Sequence, residues 1–146
     1  MKSKNLHVAS GHSDEPVRRP GWLRAWWPAI AWAAFIFVLS SIPGTKFPEV
    51  KTPHADKVVH AVIYVVLGAL CVRAIRRTST LTGARAVALA TLIAALYGVS
   101  DELHQIFTPN RTPDWHDAAA DAAGGLAGAL AAAATRRTGP RTQSSK

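Results

Sequence analysis

The sequence predicts an all-α membrane protein, a bundle of four transmembrane helices with both termini on the cytoplasmic side. Three observations lead there. Apolar residues gather into four blocks within 146 residues, and a hydrocarbon core takes about 20 such residues per helix. Charged residues collect between the blocks rather than inside them. The basic ones favour alternate connections, the pattern of cytoplasmic loops.

The first block, residues 26–42, contains no charge and ends at Pro43-Gly44. Trp22, Trp26 and Trp27 stand at its start, where tryptophan favours the headgroup level. Pro28 is expected in the first helical turn, where its missing N–H costs little. A signal peptide would share the basic flank and apolar run, but no A-x-A-like cleavage site follows. An uncleaved anchor is therefore expected. The second block covers residues 58–75, and the third covers 85–107 with charges only near its ends. The fourth, 117–134, is rich in Ala and Gly and is the weakest on hydropathy. Its Gly124 and Gly128 form a small-xxx-small face that suits close helix packing. Together these blocks make one domain over residues 21–136. Residues 1–20 and 137–146 are polar, lack apolar periodicity and read as disordered cytoplasmic tails.

Orientation follows from the basic residues. The N-terminal tail, the connection after the second block and the C-terminal tail hold thirteen of the 17, including Arg24, Arg73, Arg76, Arg77, Arg85 and Arg136. The other side holds only Lys46, Lys51, Lys57 and Arg111. Acids run the opposite way, with Glu49, Asp56, Asp101, Glu102, Asp114, Asp117 and Asp121 toward the outer side. The pI of about 10.4 then reflects cytoplasmic loops, and no nucleic-acid partner is expected. Cys71 is the single cysteine and cannot form an intramolecular disulfide.

Ionisable residues inside a membrane are costly and usually face the bundle interior or a wet cavity. Here they cluster where the outer ends of the second, third and fourth spans meet. Asp56 and His60 lie one turn apart on one face, which Tyr64 extends inward. Glu102 and Gln105 share a face of the third span. Asp117, Asp121, Gly124 and Gly128 form one stripe on the fourth. Each has a structural reading beside the functional one. Asp114, after Pro113, suits a helix N-cap, and Asp56 suits capping as well as a site. Lys57 reads as a snorkelling interfacial side chain. Asp101 and His104 read as facing headgroups or water, Trp115 as a belt residue, and Arg111 as a phosphate contact or surface charge. His60 with Asp121 could be a core polar pair.

The combination Asp56-Lys57-x-x-His60, Tyr97-Gly98, Glu102-x-x-Gln105, Arg111, Asp117, Asp121, Gly124 and Gly128 resembles the VanZ-like family of bacterial membrane proteins, named from a factor linked to glycopeptide resistance. The resemblance covers all four blocks and neither tail. It implies a small helical membrane protein with a polar outer site. Many members carry Asn where this chain has Asp121.

The expected function is binding of a cell-envelope ligand in an outward-facing polar pocket. The ligand would be a lipid headgroup, a cell-wall precursor or a glycopeptide antibiotic. Its candidate residues are Asp56, His60, Glu102, Gln105, Arg111, Asp117 and Asp121. Arg111 offers a bidentate contact to phosphate or carboxylate. The alternative is a membrane-embedded enzyme on a lipid-linked substrate, with Glu102 or His60 as acid–base and Arg111 stabilising negative charge. Its metal-assisted form would use His60 with Asp117 or Asp121. A proton-coupled transporter ranks last. No cofactor and no resident metal are expected, since no spacing such as H-E-x-x-H occurs. The expected partners are membrane lipids and a lipid-linked or cell-wall ligand, with homo-oligomerisation left open.

Overall fold

In hydrocarbon a chain must satisfy its own backbone hydrogen bonds, and an apolar run does so as a helix. The computed structural model describes residues 21–46 and 54–135. Each apolar block becomes one helix: α1 Trp22–Ser40, α2 Ala55–Thr78, α3 Gly83–Gln105 and α4 Trp115–Ala134. A single 3-10 turn, Gly44–Lys46, follows α1. The expected tails lie outside the described residues, as do Glu49 and Lys51.

Among the described residues, α1, α2 and α3 are long and apolar enough to cross a membrane. Most of their apolar surface points away from the protein. Phe35, Val38, Val62 and Leu96 are all exposed. In water such a surface would drive association, whereas acyl chains cover it without cost. This is a membrane protein. Helix α4 is less apolar, carrying Asp117 and Asp121 in an Ala- and Gly-rich run, and it packs mainly against α2 and α3.

The side-chain registers give the topology. Trp26 meets Thr78 and Trp32 meets Ile63, so α1 and α2 run antiparallel. Lys57 meets Asp117 and His60 meets Asp121, so α2 and α4 run parallel. Two of the helices therefore start, and two finish, at the end that carries the acids.

Packing differs around the bundle. At the α2–α4 seam, Gly124 and Gly128 lie against the backbone carbonyls of Ala61 and Val65, and Gly68 lies against that of Gly125. A Cβ at any of these three glycines would collide with backbone of the facing helix. The core beside the seam is made of Tyr64, Leu67, Cys71, Val72 and Ala90. Helix α1 is held differently. Trp32 Nε1 donates to Ile63 O at 3.0 Å, Tyr97 Oη donates to Ala33 O at 2.6 Å, and Trp26 Nε1 donates to Thr78 Oγ1 at 3.3 Å.

Two local expectations are corrected. Helix α1 starts at Trp22, so Pro28 sits inside the helix rather than in its first turn. It removes one backbone hydrogen bond there. Trp26, grouped by sequence with Trp22 and Trp27, differs from them: those two are exposed, whereas Trp26 is half-buried against the core and bonded to Thr78. In both cases helix α1 extends a turn beyond the purely apolar run, into a segment containing Arg24.

Candidate functional site

The polar end of the bundle is built from three helix ends and the connection between α3 and α4. Asp114 caps α4, its Oδ1 accepting the His116 backbone N–H at 2.9 Å. The Lys57 ammonium beside it, together with the His116 N–H and ring, holds the Asp114 carboxyl well below the usual carboxylate range. Each of these donors favours the charged form.

Lys57 has partners within the protein. Its ammonium sits 2.8 Å from Asp114 Oδ2, 2.9 Å from Asp117 Oδ1 and 3.1 Å from Asp56 Oδ2. Three carboxylates at the starts of α2 and α4 thus converge on one ammonium at the end of a flexible stem.

Behind Lys57 lies a buried cluster. His60 Nδ1 is 3.1 Å from Asp121 Oδ1, and Asp121 is fully enclosed. Gly98 makes that possible, since a Cβ there would stand only 2.8 Å from the Asp121 side chain. Glu102 Oε2 accepts the Asp114 backbone N–H at 2.7 Å. Its Oε1 is buried with no hydrogen-bond partner among the described residues, and the same holds for Asp121 Oδ2 and Tyr64 Oη. One ligand atom from each of His60, Glu102 and Asp117 lies within 4.8 Å of the other two.

His60 also faces a cavity of about 660 Å³ between α1, α2 and α3. Asp56, Gln105 and Arg111 line its polar end with His60, while Ile36, Leu39, Val59 and Ile63 form apolar walls. Gln105 Nε2 donates to Asp101 Oδ2 at 3.3 Å, and Arg111 Nε donates to Ile42 O at 3.4 Å. The mouth is tied to α1 by two further bonds, Thr108 Oγ1 to Ser40 O at 3.3 Å and the Gly44 N–H to Pro109 O at 3.1 Å.

The seven candidate residues thus fall into two groups that share His60. Asp56, His60, Gln105 and Arg111 line the cavity; Glu102, Asp117 and Asp121 stand in the buried cluster. Asp101 does not face headgroups: it is 5 % exposed and lines the cavity. Asp101 and Gln105, one helical turn apart, point the same way, a spacing that could have marked Asp101. No local spacing marked Lys57, whose partners Asp114 and Asp117 lie 57 and 60 residues on.

The family model VanZ/LLP1 matches residues 22–136. No curated protein and no solved structure matches the chain.

Proposed function

The chain belongs to the VanZ/LLP1 family, and we propose that it binds an amphipathic cell-envelope ligand with an anionic headgroup. The observation that carries this reading is the division of one cavity into apolar walls and a polar end. A lipid or lipid-linked cell-wall precursor matches both parts. Its chain lies along Ile36, Leu39, Val59 and Ile63, and its headgroup meets Arg111, His60 and Gln105. A guanidinium holds phosphate or carboxylate with two parallel hydrogen bonds. A glycopeptide would use the polar end alone, so a role in glycopeptide resistance is the narrower version of this reading.

In this proposal α4 also crosses the cell membrane, making four spans, and the polar end faces outward. The basic asymmetry supports cytoplasmic termini in this reading. With Cys71 replaced by Ala, Lys46→Cys is expected to label with an impermeant thiol reagent on intact cells and Arg77→Cys is not; the reverse pattern would invert the topology.

The ligand test uses protein in nanodiscs, with a short polyprenyl phosphate, phosphatidylglycerol and a glycopeptide as separate probes. Arg111→Ala is expected to weaken binding of the phosphate probes at least tenfold while the detergent melting temperature stays near wild type. The same pair of measurements on Glu102→Gln and Asp121→Asn completes the series. If binding follows melting temperature across all three variants, the polar residues are structural and the reading fails.

One observation favours a second reading. The His60–Asp121 pair beside buried Glu102 is an arrangement suited to proton transfer. Headgroup turnover by the purified protein would replace binding with catalysis.

A further inference from the structure

We propose that His60, Glu102 and Asp117 form a binding site for one divalent cation of the Zn²⁺ or Mn²⁺ class. This site shares His60 with the cavity, takes its other two ligands from the buried cluster and does not depend on any lipid ligand. The three residues come from α2, α3 and α4, and their ligand atoms lie within 4.8 Å of one another. Ligands of a tetrahedral ion stand roughly 3.4 Å apart.

The second observation is Glu102 itself. It is 7 % exposed, and its Oε1 is buried without a hydrogen-bond partner among the described residues. A buried carboxylate oxygen left in that state is costly. Its other oxygen is fixed by the Asp114 N–H, so the carboxyl cannot turn away without losing that bond. Asp101, Asp117 and Asp121 are buried in the same region. A divalent ion supplies two positive charges where the Lys57 ammonium supplies one.

The donor set decides the class of ion. One imidazole and two carboxylates suit Zn²⁺ and Mn²⁺ better than an all-oxygen cation such as Mg²⁺. Asp121 is not a ligand in this assignment. It engages His60 Nδ1 at 3.1 Å, so a neutral ring that donates there carries its lone pair on Nε2. Carboxylate–imidazole–metal relays have this form, and loss of the outer carboxylate typically costs about 10–100-fold in affinity. Lys57 steadies Asp117 from the far side through Oδ1.

The test needs only the metal. Full-length protein without a histidine tag is stripped with chelator in detergent and titrated with Zn²⁺ and Mn²⁺. One saturable equivalent at micromolar free ion is expected, with a rise in melting temperature. Cys71→Ala should bind as wild type does, since that thiol lies in the core. Glu102→Gln and Asp117→Asn should each lose at least tenfold in affinity. Asp121→Asn should lose about 10–100-fold while keeping one equivalent. Pulsed EPR of bound Mn²⁺ in wild-type protein should show a single imidazole nitrogen, a readout that decides the matter even for a variant that does not fold. Absence of saturable binding, binding unchanged by Glu102→Gln, or a bound Mn²⁺ with no nitrogen coupling would each overturn the assignment. Failure of lipid binding alone would leave it standing.

Discussion

Helix α4 meets its main partner through glycines that bring backbone against backbone, whereas α1 is fastened by the tips of Trp26, Trp32 and Tyr97. The two seams serve different ends. The α2–α4 seam carries Lys57, His60, Asp117 and Asp121 at its polar end, and a few tenths of an ångström decide whether those groups meet. The α1 side forms one wall of the cavity through Ile36 and Leu39. For the ligand proposed above, the wall held by long side chains is the one expected to yield, while the buried carboxylates stay in register. Precision and access are thus assigned to separate helix contacts.

Breaking the tight seam should have the largest effect. Gly128→Leu would drive a side chain into the Val65 carbonyl and force the helices apart. Overpacking against backbone costs on the order of 3 kcal/mol or more, so folded yield and melting temperature should both fall sharply. Wild-type thermal stability in this variant would mean that α2 and α4 are not so closely apposed. Asp121→Leu comes next. It keeps bulk but deprives His60 of its partner, a loss of about 1–3 kcal/mol for a buried polar group. Thermal unfolding in detergent should place it between the other two. The smallest effect belongs to the α1 side. Tyr97→Phe deletes one hydrogen bond to Ala33 O, worth about 1 kcal/mol. Ligand affinity should change more than stability, because the α1 wall loosens while the cluster stays intact. A larger loss of stability from Tyr97→Phe than from Gly128→Leu would reverse the comparison.

The helices were legible because hydrocarbon imposes its length on the sequence, and the four blocks coincide with α1 to α4. Helix ends were less legible. Arg24, Asp56 and Arg76 interrupt hydropathy without interrupting the backbone, so helices run past the apolar blocks. Gathering the acids at one end was readable from alternating direction. The partition into cavity and cluster was not, since it depends on where α1 packs. Lys57 illustrates the limit well. Its partners Asp114 and Asp117 lie 57 and 60 residues away, and no local pattern links them. Gly98 was quoted only as part of a motif; its role in making room for Asp121 is a matter of contact, visible only once α3 and α4 are side by side.

The parallel course of α2 and α4 also sets the local field. Every helix carries roughly half a positive charge at its start and half a negative charge at its finish. Asp56 and Asp117 lie in first turns, where the peptide dipoles welcome an anion. Asp101 and Glu102 lie near the finish of α3, where the same dipoles oppose one. These four acids are therefore not equivalent. Asp101 and Glu102 stand against their own helix and take their donors from the Gln105 side-chain amide and the Asp114 N–H at the start of α4, whereas Asp56 and Asp117 are supported by the backbone beneath them. Had the chain folded with α4 reversed, Asp117 would have kept the support of its own helix start but stood at the opposite end of the bundle, away from Lys57.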